Sequence, residues 1–251
     1  FDDIKIPIVK VIEGLKNDLK FLFDPQKISL LKNFADIYPD KFDRYFKKNF
    51  IFDFYPYIMK NSSYSSGMKF LQEDGKNLIS LLHDIFEDEE KKKKFFNILN
   101  FVLPFIKEIE TQNLKENIFL TTFTEQYGED FKIPANYFSD GTINILAMIV
   151  ALYFQELPLV IMEEPEKNIH PALISKVVEM MKDASQHRQV IITTHNPEIV
   201  KHAGLDSLLF VYRDDEGFST VRRPANSDAV KEFMRDEIGL DELYIHNFYG
   251  V

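Results

Sequence analysis

The 251-residue sequence contains no cysteine. That excludes a disulfide framework, a thiolate metal site and a cysteine nucleophile, and it fits a reducing, cytoplasmic setting. No membrane-length apolar run is present either. The longest, INILAMIVALYF at 143–154, is interrupted by Asn144 and falls short of the roughly 20 residues that span a bilayer. No signal peptide is legible, so we expect no membrane partner. Positive charge is in deficit, with a formal net charge of -10, which argues against a nucleic-acid grip over the whole surface while allowing a local basic strip. The sequence opens on Phe1 rather than Met, from which we expect a further segment upstream.

What is present suffices for a sizeable core, as one large domain or two smaller ones. In the first half, Phe, Leu and Ile recur at three- and four-residue spacings through KIPIVKVIEGLKNDLKFLF and KISLLKNFADIY, the period of an amphipathic helix. FIFDFYPYI, 50–58, predicts a short strand ending at Pro56. NSSYSSG has loop chemistry. NLISLLHDIF and FFNILNFVLPFIKEIE return to helical spacing, with Pro104 as a kink or boundary. Between them EDEEKKKK sets four acids four residues ahead of four lysines, a solvated helix end or hairpin. At Asn117 the pattern turns to strand, in NIFLTTFTEQ, a turn at YGED, and FKIPANYF. We therefore expect a mainly helical insertion or arm over 1–116 and a second unit over 117–251. The latter alternates helix GTINILAMIVALYFQE, strand LPLVIM, helix PALISKVVEMMKDAS, strand QVIITT, helix NPEIVKHA and strand SLLFVYR, an α/β pattern. Its short apolar runs predict strands buried on both faces, and DDEG before FSTVRR predicts an edge hairpin.

Two of these strands end in polar residues, EEPE after LPLVIM and HNPE after QVIITT. In an open parallel sheet, ligands bind at that edge, so Glu163, Glu164 and His195 are expected to converge. A carboxylate for a divalent cation, another to take a proton from water, and a histidine for an anionic oxygen together make a phosphoryl-transfer site. SDGT, Ser139 to Thr142, opens a helix; Ser139 or Asp140 can cap it, and free N–H groups there attract phosphate.

The ordered set SDGTINIL, LVIMEEPEKNIHP and VIITTHNPEIV resembles the carboxyl half of ABC-type ATPases related to the RecF and SMC proteins, above all their prokaryotic stand-alone relatives. DGKNLISLLHDI, 74–85, resembles a segment that those relatives carry ahead of the signature. The resemblance implies the carboxyl lobe of an ABC-type P-loop NTPase sheet with flanking helices, using ATP and Mg²⁺. It further implies that Ser139, Asp140, Gly141 and Thr142 form a signature motif facing the γ-phosphate held by an opposite protomer, making the active unit a homodimer. Glu163 takes the place of the Walker B acid acting on Mg²⁺ through water, Glu164 that of the general base, and His195 that of the switch histidine. Asn168 and His170 fall in the loop that crosses the dimer interface. The acid at 163 is Glu rather than the commoner Asp, and the signature reads SDGT rather than SGG. No GxxxxGK[ST] loop occurs: the sole Gly-Lys pair, Gly75-Lys76, precedes Asn77, so we expect the Walker A loop in a missing amino-terminal lobe. The chain alone would then bind ATP poorly. The expected output is DNA processing or defence against mobile elements, with DNA and an effector protein as candidate partners.

Other readings use the same residues. Glu163 and Glu164 could simply open a helix, and His195 could be a cap or a core histidine. A metal-dependent phosphodiesterase or nuclease built on Glu163, Glu164, Glu166 and His195 is the rival enzyme, although no HExxH-type pair is present. A dimerisation or regulatory module is the non-catalytic alternative.

Overall fold

The computed structural model describes residues 8–13, 50–61, 67–115, 118–127, 131–213, 216–226 and 239. Among the described residues the larger sheet has six strands in the order β2-β6-β7-β1-β8-β9: β1 (Ile8–Glu13), β2 (Phe50–Phe52), β6 (Leu159–Glu163), β7 (Gln189–Thr194), β8 (Leu208–Arg213) and β9 (Ser219–Arg222). β2, β6 and β7 run parallel, β1 is antiparallel to both β7 and β8, and β9 closes the edge antiparallel to β8. The edge hairpin agrees with expectation. A smaller antiparallel sheet comprises β3 (Ile106–Lys115), β4 (Ile118–Glu125) and β5 (Ile133–Pro134). The helices are α1 (Pro56–Asn61), α2 (Leu78–Phe86), α3 (Glu89–Val102), α4 (Asp140–Tyr153), α5 (Pro171–Ser185) and α6 (Pro197–Ala203).

Helix α4 is the centre of the packing. Every residue from Gly141 to Leu152 is buried, as a helix apolar on all sides must be, and it packs against α1, α2, α3 and α5. One continuous hydrophobic cluster runs from Phe52 in β2 through α2, α3 and α4 to Ile192 in β7 and Ile199 in α6. The expected passage at residue 117 falls between β3 and β4, which pair with each other, and β2 shares its sheet with β6.

Three differences from the sequence reading have physical causes. The helix expected through FFNILNFVLPFIKEIE ends at Val102, and Ile106 begins a strand. Pro104 lacks the N–H that another helical turn needs, and its ring disfavours helical backbone at Leu103, found at φ -122° and ψ 69°. A register shift between Ile106 and Glu108 then sets the buried Ile106 and Ile109 three apart, so a bulged strand imitates helical spacing. Ile8–Glu13, expected within a helix, forms β1, whose β-branched residues suit a strand flanked on both sides. The helix expected over KISLLKNFADIY lies outside the described residues. Finally, β6 and β7 are fully buried only at alternate positions (Val160, Met162, Val190, Ile192 and Thr194), with half-buried residues such as Ile161 and Ile191 between them. Among the described residues, only one face of these strands is fully buried.

The helix starts are locally encoded. Asp88 accepts hydrogen bonds from the Glu90 and Lys91 N–H groups at the start of α3, and this bonding, with Lys91 nearby, holds its carboxyl below the usual range. Pro171 and Pro197 open α5 and α6, where proline's fixed φ is favourable. Their caps are His170, whose Nδ1 accepts from the Ala172 N–H at 3.2 Å, and Asn196, whose Oδ1 accepts from the Glu198 N–H at 2.9 Å.

Candidate functional site

The three parallel strands deliver polar residues to one edge. Phe52, Met162 and Ile192 stand in register; one residue further on, the chain places Asp53 beyond β2, Glu163 at the end of β6 and Thr193 in β7, with His195 just past it. Glu163 is exposed. Glu164 leaves the strand in a left-handed conformation, φ 40°, and its N–H still reaches the Thr193 carbonyl at 2.9 Å. The turn after it is closed by Lys167 N–H to Glu164 O and Ile169 N–H to Glu166 O, both at 3.0 Å. A helix opening at Glu163 and Glu164 is therefore not what these acids form.

Both oxygens of Glu164 are held. His195 Nε2 lies 3.2 Å from Oε1, and Lys167 Nζ lies 3.3 Å from Oε2. Lys167 also reaches Asp53 Oδ1 at 3.6 Å, while the Tyr55 hydroxyl donates to Asp53 Oδ2 at 2.8 Å. Burial works against the Lys167 ammonium, but the carboxylates of Glu164, Asp53 and Glu163 outweigh it and raise its pKa. The bonded Asp53 carboxylate raises the Tyr55 hydroxyl.

A second group gathers at the start of α4. Ser139 caps the helix, its Oγ accepting from the Thr142 N–H at 3.0 Å and lying 2.7 Å from Thr142 Oγ1. Asp140 is left to pair with Lys60 of α1. Gly141 is pressed against the backbone of the acidic turn: a Cβ at this position would lie 2.4 Å from the Asn168 carbonyl oxygen. Asn168 takes φ 63°, a region asparagine tolerates, and Asn144 Nδ2 donates to the Lys167 carbonyl at 2.8 Å. Turn 164–168 thus joins the two groups. His170 lies beyond it, exposed and capping α5.

Glu166, a candidate ligand in the rival metal-hydrolase reading, is turned inward. It is 8% exposed and accepts a hydrogen bond from Thr194 Oγ1. Burial raises its pKa, the Thr194 bond working the other way. The sequence reading missed Asp53, Tyr55, Lys167 and Thr194 as members of the site. The available signals were weak: an acid just past a strand, and a lysine three residues after Glu164.

A raised carboxyl pKa fixes the sign of a pH effect. The fold favours neutral Glu166, so its contribution is fully present below the ordinary glutamate value of about 4.3 and is lost as pH rises toward the raised value. Glu166→Gln is therefore expected to gain thermal stability over the parent between pH 4 and pH 8. Equal differences in melting temperature at the two pH values would contradict this.

A model of the family described as "AAA domain, putative AbiEii toxin, Type IV TA system" matches residues 19–201. The chain belongs to this AAA family. The membership agrees with the resemblance to RecF- and SMC-related ATPases drawn from its motifs. Among curated relatives, this AAA chain is 29% identical over 90 residues to the Septu protein PtuA of Bacillus thuringiensis, covering 34% of this chain and 23% of the relative. It is 25% identical over 180 residues to the Old nuclease of Escherichia phage P2, covering 66% and 30%. The chain thus spans less than a third of the length of either relative. Among solved structures, one described as "Structural biochemistry of ATP-driven dimerization and DNA stimulated activation of SMC ATPases" is 16% identical, with 64% of this chain and 98% of that chain covered at a TM-score of 0.48. An Smc head domain from Pyrococcus furiosus is 17% identical, with 64% and 44% covered at 0.44. At such scores these likenesses add nothing to what the AAA chain's own sheet shows.

Proposed function

We propose that the chain is the carboxyl part of an ATPase in which ATP binding closes a homodimer and hydrolysis releases it. The observation that carries this reading is the grip on Glu164. Its carboxylate stands at the carboxyl edge of parallel strands, between His195 and Lys167, on the turn that also contacts the SDGT helix start. In this reading Glu164 takes the proton of the attacking water. His195 meets the γ-phosphate oxygen and reports its presence to Glu164. Ser139, Asp140, Gly141 and Thr142 present the amino end of α4 to a nucleotide held by the second protomer, where free N–H groups favour phosphate. Asn168 and His170 lie beside that opening, in the segment facing the partner.

Mg²⁺ is commonly bound by one or two carboxylates with water and substrate phosphates, and Glu163 offers an exposed carboxylate at the strand edge. Glu163 is the residue we assign to the ion, which would offset phosphate charge. The sequence has no GxxxxGK[ST], so we propose that the phosphate loop comes from a segment outside these residues. The family description names a toxin, and one relative is named a nuclease; we therefore propose DNA processing or defence against mobile elements as the output, through an effector protein. Among the described residues no helix is long and apolar enough to cross a membrane.

The test uses the complete protein. It is expected to hydrolyse ATP and to dimerise with ATP, both depending on Glu163. Phosphodiester cleavage without ATP that is abolished by Glu163→Ala would support the metal hydrolase instead. Absence of both hydrolysis and ATP-dependent dimerisation would leave the assembly module.

A further inference from the structure

Thr194 and Asn196 flank His195; Thr194 is bonded to Glu166, and Asn196 is bonded to Thr194. The Thr194 hydroxyl is fully buried; it accepts a hydrogen bond from the Asn196 N–H at 2.9 Å and spends its own proton on Glu166 Oε1. Glu166 lies in the turn two residues after Glu164, and its carbonyl closes that turn by accepting from the Ile169 N–H at 3.0 Å. The Glu166 side chain therefore links the turn carrying Glu164 to Thr194, just before His195, and through the Thr194 hydroxyl to the Asn196 N–H just after it. Its second oxygen, Oε2, is buried and has no hydrogen-bond partner among the described residues. Burying a carboxyl is costly, and a position needing only apolar filling would be served by leucine; the acceptor at Oε1 is what leucine lacks.

We propose that Glu166 is a positioning residue: through Thr194 it holds the His195 ring against the Glu164 carboxylate. The geometric content stands by itself, and its catalytic consequence rests on the ATPase reading above. Glutamine keeps the acceptor oxygen and the volume, whereas leucine removes the acceptor. Valine at 194 removes the donor with little change in shape.

Two measurements on the complete protein decide the matter. In protein labelled at histidine Cε1, the His195 signal is the one lost in His195→Gln. It is expected to move on Glu164→Gln in the parent and in a Glu166→Gln background, but not in Glu166→Leu or Thr194→Val backgrounds. An equal response in all backgrounds would overturn the proposal. In ATP turnover, Glu166→Leu and Thr194→Val are each expected to lose about 10- to 100-fold in kcat, the scale of a small misplacement of catalytic groups, with KM for ATP nearly unchanged. The double variant should be no worse than the poorer single one, and Glu166→Gln should restore most of the rate. Additive losses, or a Glu166→Gln loss as deep as that of leucine, would overturn it. Should Glu166→Leu fail to fold, Thr194→Val and Glu166→Gln carry the comparison. Absence of turnover in the parent would sink the ATPase reading, and the histidine signal would still decide the positioning.

Discussion

Glu164→Gln is expected to lose about 10²- to 10⁴-fold in ATP turnover, the usual contribution of a general base, while nucleotide binding and ATP-dependent dimerisation persist in the complete protein. The separation follows from what the substitution leaves in place. Glutamine has nearly the same size, and the strained backbone at φ 40° is no costlier for it than for glutamate, so the turn that carries Asn168 against Gly141 should survive. Lys167 keeps its second carboxylate, Asp53, at 3.6 Å. What disappears is the group that can accept a proton from water beside His195. Steady-state hydrolysis measured together with light scattering in ATP would show the split. Undiminished hydrolysis would eliminate Glu164 as the base, and loss of dimerisation would mean that the substitution had disturbed the turn.

The second large effect lies at Gly141. Replacing a helical glycine by alanine ordinarily stabilises by up to about 1 kcal/mol. Here the added Cβ would stand 2.4 Å from the Asn168 carbonyl oxygen and 3.2 Å from both the Asn168 carbonyl carbon and Ile169 Cα, all backbone atoms of a turn pinned by its own hydrogen bonds and by Asn144. No flexible side chain can yield. Overpacking of this kind costs about 1–3 kcal/mol, which outweighs the helix preference at most of that range. Net of the helix preference the cost reaches about 2 kcal/mol, so Gly141→Ala should melt lower, by up to roughly 8 °C for a chain of this size. ATP-dependent dimerisation should weaken further still, because the displaced groups are those we assign to the interface. An unchanged melting temperature would mean that α4 and the turn are not in contact.

Much of the scaffold was legible because its signals are local. α5 and β7 follow the expected segments PALISKVVEMMKDAS and QVIITT, since proline starts, capping residues and short β-branched runs act within a few residues. The order of SDGT, EEPE and HNPE likewise brought the AAA family within reach. Local periodicity misled where a bulge set Ile106 and Ile109 three apart, since a distorted strand and a helix can share that spacing.

By itself, then, the sequence determined an α/β chain with acids and a histidine at the ends of two strands, and the family to which those motifs belong. Only the tertiary structure decided how they meet. Parallel pairing of β2 with β6 brought Asp53, more than 100 residues away in sequence, to Lys167. The fold of turn 164–168 separated three neighbouring acids, leaving Glu163 exposed, Glu164 held between His195 and Lys167, and Glu166 buried on Thr194. Carboxylates one to three residues apart look alike in a sequence; which of them faces water is set by the direction in which the backbone turns, and that is fixed by distant packing.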